Sequence, residues 1–250
     1  MRAGPLVVLS VLVVPAALLA APSVAGQAVG RVQVVQADPG VRVDVSVDGR
    51  ARDRHVGVGA VLGPYALTPG RHAVAFVDGS GRRMTTTVTV RPGSSSDVVL
   101  HRPAAVSGGP VINVYRTPRA PIGPGKARVL VAHTATVAPA DVRVDGVTVF
   151  TDIANGEYAQ ADVPAGTHRV ALLPTGRARP ALLGPLTVRL APRTVTMVYA
   201  VGRPSSGSMR VITHVARIVG DDTVVPDTID TGSAGLAAGL PVTGFGRRAG

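Results

Sequence analysis

The sequence predicts an all-β protein built as two tandem β-sandwich repeats, preceded by an export signal and followed by a flexible tail. Three observations predict it. The 250 residues include 45 valines, and β-branched side chains, stiff at χ1, pack well on a pleated surface. Thirty glycines and 21 prolines supply frequent turns while staying short of the proportion typical of disordered chains. The chain also repeats itself at a spacing of about 97 residues, which makes each repeat one structural unit. No segment keeps an amphipathic 3.6-residue period over three turns.

At the N-terminus, Arg2 is the only charge before Arg31, and Leu6–Ala21 contains nothing but Leu, Val, Ala, Pro and one Ser. That is the charged start and apolar stretch of a secretory signal. Ser23-Val24-Ala25 is the best small-x-small site. Cleavage is therefore expected between Ala25 and Gly26, with Gly26-Gln27-Ala28 as the second choice. An uncleaved anchor is the alternative, because the charge-free stretch exceeds the roughly 20 residues needed to span a bilayer. Pro15 and the small residues from Pro22 to Ala28 favour cleavage. The chain has no cysteine, so an exported fold must rely on core burial without disulfides. No second stretch is long and apolar enough to span, so the mature chain is expected to carry no membrane span.

The duplication places the units. Asp44-Val45-Ser46-Val47-Asp48-Gly49 returns as Asp141-Val142-Arg143-Val144-Asp145-Gly146, and Gly70-Arg71-His72 returns as Gly166-Thr167-His168. Thr89-Val90-Arg91 matches Thr187-Val188-Arg189, Arg102-Pro103 matches Arg203-Pro204, and Val111-Ile112 matches Val211-Ile212. In the first unit the alternation predicts strands at 31–36, 41–47, 65–67, 72–77, 84–90, 97–101 and 111–115. In the second it predicts 127–132, 142–144, 147–150, 158–163, 168–173, 186–190, 195–201 and 210–215. Asp48-Gly49 and Asp145-Gly146 are hairpin signals, since both residue types tolerate positive φ. Strands at this spacing predict immunoglobulin-like or transthyretin-like sandwiches. The expected organisation is a signal peptide over 1–25, a first sandwich over 29–116, a linker over 117–126, a second sandwich over 127–218 and a flexible tail over 219–250. Each unit is expected to fold alone.

Both units resemble the bacterial secreted-protein family known as domain-of-unknown-function family 4397. Arg31-Val32-Gln33-Val34-Val35-Gln36-Ala37 and Arg128-Val129-Leu130-Val131-Ala132-His133 resemble its first strand, and the Asp-Gly and Gly-x-His elements above resemble the rest. The resemblance covers roughly 29–216. It implies a secreted or surface β-sandwich and supplies no catalytic residues.

The residues themselves offer little chemistry. The six histidines, His55, His72, His101, His133, His168 and His214, form no His-Glu-x-x-His, and Glu157 is the only glutamate, which removes most zinc-hydrolase designs. His72 and His168 recur at one repeat position and read as backbone-bonding strand histidines. Asp44, Ser46 and Asp48 share one strand face, as do Asp141, Arg143 and Asp145. A calcium ion needs six or more oxygens, and Arg143 sits in the second set, so Asp48 and Asp145 read as turn formers. Asp221, Asp222, Asp227 and Asp230 read as a solvated tail. There is no nucleophile elbow, Gly93–Asp97 reads as a turn, and Gly123-Pro124-Gly125-Lys126 fails as a phosphate loop. Four Tyr, three Phe and no Trp leave no aromatic platform for nucleic acid. No catalytic, cofactor or metal residue is assigned, and the chain is expected not to be an enzyme.

Leu240-Pro241-Val242-Thr243-Gly244 matches the Leu-Pro-x-Thr-Gly signal of wall-anchoring transpeptidases. It is a candidate sorting motif in Leu240, Pro241, Thr243 and Gly244, but only six residues follow it, where that signal normally precedes an apolar span. A chance match is the alternative. The formal charge of +11 comes almost wholly from arginine, with Lys126 the single lysine. A basic exported protein is drawn to anionic wall polymers at low salt. Two functions stay open: a non-enzymatic secreted or cell-envelope spacer and interaction module, with other envelope proteins as partners, or a secreted binding protein for an anionic envelope polymer or small ligand. A contiguous arginine-lined groove favours the second, and scattered arginines favour the first.

Overall fold

A computed structural model describes residues 28–217. The Ala25–Gly26 cleavage site, the tail and the Leu240–Gly244 motif lie outside the described residues. The first half contains β1 (Gly30–Gln36), β2 (Val43–Val47), β3 (Arg50–Val56), β4 (Val61–Leu67), β5 (Gly70–Asp78), β6 (Arg83–Val90), β7 (Ser95–His101) and β8 (Val111–Arg116). The second contains β9 (Lys126–His133), β10 (Ala140–Val144), β11 (Val147–Ile153), β12 (Tyr158–Pro164), β13 (Gly166–Pro174), β14 (Leu183–Leu190), β15 (Thr194–Val201) and β16 (Arg210–Arg217). The fold is all-β, in two sandwich-like units.

Local sequence explains the strands. In β2, Val43, Val45 and Val47 are buried while Asp44 and Ser46 are half-exposed, the period-two signature of a strand with one wet face. The hairpins that follow β2 and β10 place Asp48 and Gly49 at φ 51° and 76°, and Asp145 and Gly146 at φ 50° and 87°. Two consecutive positive φ values are what a two-residue turn needs to match strand twist.

Each half pairs its eight strands identically. The first forms sheets β3-β2-β5-β6 and β4-β1-β7-β8; the second forms β11-β10-β13-β14 and β12-β9-β15-β16. β1 and β7 run parallel, as do β9 and β15. Val32, Val34, Val98 and Leu100 face the first outer sheet and share a core with Val45, Phe76 and Val88. Val131 and Ala200 face the second outer sheet and join Val142, Phe150 and Leu172.

A third core lies between the units. Val35, Val99 and Tyr115 of the first pack against Leu130, Met197, Tyr199 and Ile212 of the second. The molecule is therefore a stack of four sheets, and its two inner sheets are covered on both faces. That explains why β7 and β15 are buried along nearly their whole length and carry the uninterrupted apolar stretches Val98–Leu100 and Met197–Val201, as strands covered on both faces do. The expectation of units that fold independently meets a shared core here, because the residues alternate toward two partners rather than one partner and water.

One strand differs from expectation. β3 (Arg-Ala-Arg-Asp-Arg-His-Val) is mostly exposed and lacks apolar alternation, so its own pattern does not announce a strand. It is an edge strand, where pairing on one side suffices. Its counterpart β11 lies at the 97-residue repeat spacing.

Candidate functional site

The side chains that recur between repeats hold the fold together. Asp44 Oδ1 accepts the His55 backbone N–H at 2.8 Å, and Asp141 Oδ1 accepts that of Asp152 at 2.9 Å. His55 and Asp152 both sit at positive φ, 53° and 56°, beside irregularities in the β2–β3 and β10–β11 registers. Each aspartate thus fixes a bulge. Among the described residues no three His, Asp or Glu side chains form a metal cluster.

Asp48 and His72 form a latch. Asp48 Oδ2 lies 2.7 Å from His72 Nδ1, its Oδ1 accepts the Ala73 N–H at 2.9 Å, and His72 Nε2 lies 2.8 Å from the Thr68 carbonyl. The second unit repeats this with Asp145 on His168 at 2.7 Å, the Arg169 N–H at 2.8 Å and the Pro164 carbonyl at 2.9 Å. A carboxylate and a carbonyl are both acceptors, so the doubly protonated imidazolium is the form that satisfies both contacts. Hydrogen bonding to the aspartate holds each histidine above its usual range. The His72 hydrogen bond holds Asp48 low, and the Arg169 N–H and then His168 do the same for Asp145. Both latches tie a hairpin turn to the strand beside it.

At the seam between the units the polar contacts differ from one repeat to the other. Since β1, β7, β9 and β15 all run the same way, the seam has two distinct ends. At the end where these strands finish, the turn after β11 plugs the gap. Asn155 donates to the carbonyls of Arg102 at 3.0 Å and Ala135 at 2.8 Å, and the Tyr115 hydroxyl donates to the Gly156 carbonyl at 3.1 Å. His101 Nε2 meets Asn113 at 2.8 Å, and His133 Nε2 meets the Ala138 carbonyl at 3.2 Å. Burial pushes both histidines below their usual range, which favours the neutral ring. Asp38, fully buried, pairs with Arg102 Nε at 2.7 Å; burial raises it and the arginine opposes that. Midway along the seam, buried Asp97 of β7 accepts from Tyr199 of β15 and His214 of β16. The Gly93–Asp97 stretch is accordingly a turn only at its start, because Ser95 to Asp97 already belong to β7.

The other end is open. A groove of about 640 Å³ runs there, lined by Arg31, Gln33, Ser95, Thr117 and Arg119. A branch of about 300 Å³ shares Thr117 and Arg119 and continues past Arg116 to Arg128 and Asp162. Arg128 is already engaged: its Nε and Nη2 meet the two Asp162 oxygens at 2.6 and 2.7 Å, and its Nη1 donates to the Ala120 carbonyl at 2.9 Å. These bonds hold the segment between β8 and β9 against the second unit. Arg119 then lies over the turn before β7, where a Cβ added to Gly93 would sit 3.6 Å from both its Nη atoms. The side chains of Arg31, Arg116 and Arg119 have no partner among the described residues. Thr117 is 8 % exposed, and its hydroxyl is also unpartnered.

The sequence marks none of this groove: Arg31 falls in a strand pattern, and Thr117 and Arg119 fall in the expected linker. No local motif marks residues that meet through sheet stacking.

Residues 30–140 match the family described as Domain of unknown function (DUF4397). No curated protein matches the chain.

Proposed function

For a chain whose residues 30–140 belong to the DUF4397 family, we propose a non-enzymatic role as an interaction module and spacer of the secreted fraction or cell envelope. The observation that carries this reading is the shared core of Val35, Val99, Tyr115, Leu130, Met197, Tyr199 and Ile212. It joins two sandwiches into one stiff body without a cysteine. Stiffness suits a part that sets a distance or presents a face. The polar devices that recur in both repeats support the same reading, since Asp44, Asp48, His72 and their counterparts are bonded to the backbone or to each other. Export is part of the proposal and rests on the apolar stretch and the Ala25–Gly26 site. Wall association is proposed to be electrostatic, since the chain carries a formal charge of +11 that anionic polymers attract at low salt.

Fractionation of producing cells tests this. The mature protein is expected outside the cytoplasm, starting at Gly26, and released from wall material by salt. Protein retained in the cytoplasm with Met1 intact overturns the reading. Wall-bound protein that resists salt but is lost in Thr243→Ala overturns its electrostatic part. A binding protein for an anionic polymer is the second reading, favoured by the arginine-lined groove at the open end of the seam.

A further inference from the structure

We propose that the open end of the seam is a binding site for a phosphodiester polymer, with Arg31, Arg119 and Thr117 contacting one phosphate and the branch past Arg116 taking the next. This goes beyond the envelope role by naming a site and a ligand chemistry.

Three observations converge on it. The first is room: about 640 Å³ with a branch of about 300 Å³ exceeds what a single phosphate fills. The second is charge. Arg31 and Arg119 come from β1 and from the segment after β8, converge on one groove and meet no carboxylate among the described residues. Guanidinium forks match phosphate oxygens in pairs. The neighbouring Arg128 is neutralised by Asp162, so the free charge is concentrated at Arg31, Arg116 and Arg119. The third is an unsatisfied donor. Thr117 lines both spaces, and its buried hydroxyl has no partner among the described residues. A buried hydroxyl without a hydrogen bond is costly, and an oxyanion in the groove would remove that cost. Gln33 adds an amide, since its Oε1 accepts from Ser95 Oγ at 3.2 Å and leaves its N–H groups free to donate.

Two arginines outside the groove show what local pairing looks like. Arg52 stacks over Tyr65, 5.3 Å from the ring centroid, and Arg82 pairs with Asp78 at 3.3 Å. Those arginines have local occupation. Arg83 of β6 is exposed on the far outer sheet and serves as a control for charge without a groove.

The experiment measures binding of inorganic phosphate and of a short poly(glycerol phosphate) to the full mature chain at fixed ionic strength. Polygalacturonate, a carboxylate polymer, is the third probe. Poly(glycerol phosphate) is expected to bind at least tenfold more tightly than inorganic phosphate, and more tightly than polygalacturonate. Arg31→Gln and Arg119→Gln are each expected to weaken it about tenfold, and Arg83→Gln to leave it unchanged. Thr117→Val keeps the side-chain shape and removes an unpartnered hydroxyl. It should therefore weaken phosphate binding while holding or raising the melting temperature, a pairing that loss of folding cannot produce. Equal losses in Arg83→Gln, or none in Arg31→Gln and Arg119→Gln, would show diffuse charge attraction and overturn the site. Equal binding of polygalacturonate overturns the phosphate assignment. Each of these failures leaves the export and spacer reading untouched, because fractionation tests that separately.

Discussion

Tyr199, in the second sandwich, donates a hydrogen bond to the carboxylate of Asp97 in the first, 102 positions away. Asp97 is completely buried, and its other oxygen has no partner among the described residues. Burial, with the nearby Asp97 charge, raises Tyr199 well above the usual phenol range, so its proton stays available to donate. The contact links the two units through a polar pair inside an apolar seam.

Breaking that pair should therefore destabilise both units together. Tyr199→Phe is expected to cost about 1–3 kcal/mol, because the buried carboxylate loses a donor. Asp97→Ala is expected to cost about 1–3 kcal/mol, because the buried Tyr199 hydroxyl loses its acceptor. Thermal melts of both variants should show one transition at lower temperature. Two separated transitions would mean that the seam does not couple the units.

The isolated first unit should not behave as an independent domain. A fragment of residues 28–116 exposes Val35, Val99 and Tyr115, which the intact molecule buries. Exposed apolar faces of that kind drive association. Sedimentation is expected to show self-association at concentrations where the whole chain is monodisperse.

The two latches give stability a defined pH dependence. His72 and His168 sit above the ordinary 6.5 when folded, so their contribution is complete below pH 6.5 and fades as pH rises through the raised values. Asp48 and Asp145 sit below the ordinary 3.8, so theirs is present above pH 3.8 and fades as pH falls through the lowered values. The latches are strongest between those limits. The carboxylates are 45 % and 53 % exposed, and solvent screening keeps the effect modest. His72→Ala combined with His168→Ala should lower the melting temperature by roughly 2–4 °C at pH 5. The gap from the parent should shrink by pH 9.

Gly202 admits no side chain. Its φ is 102°, and an added Cβ would lie 2.2 Å from the Ser208 carbonyl oxygen. The backbone conformation alone costs about 1–3 kcal/mol for a non-glycine residue, and the clash adds to it. Gly202→Ala should show reduced stability in urea titration, while Gly146→Ala, with nothing within 4 Å but φ 87°, should lose only the conformational part.

The second sandwich has a void of about 80 Å³, lined by residues including Val129, Val149, Ala161 and Leu186. Filling such a space typically adds about 0.5–2 kcal/mol. Val149→Ile is expected to raise the melting temperature slightly. A decrease would mean that the added methylene strains the packing instead.

The local features were legible because local physics sets them. Alternation at Val43, Val45 and Val47, the Asp-Gly pairs and the matching His72 and His168 report strand, turn and repeat directly. β3 was missed because Arg50–Val56 carries no alternation, although shifting β11 by 97 residues would have found it. The bonding of Asp48 to His72 was invisible as a pair, since the two are 24 positions apart, though their shared recurrence pointed to a common task.

By itself the sequence determined the all-β class, the duplication and the positions of most strands, since the period-two pattern and turn residues act over a few neighbouring positions. Only the tertiary structure decided that the two inner sheets stack and that Asp97 meets Tyr199. It also decided that Arg31, Thr117 and Arg119 border one groove. A strand's pattern says that a face must leave water, but not which other surface will cover it. Val99 needs burial equally well against its own unit or against the next one, and the choice is made by the shapes of whole sheets meeting across about 100 residues of chain.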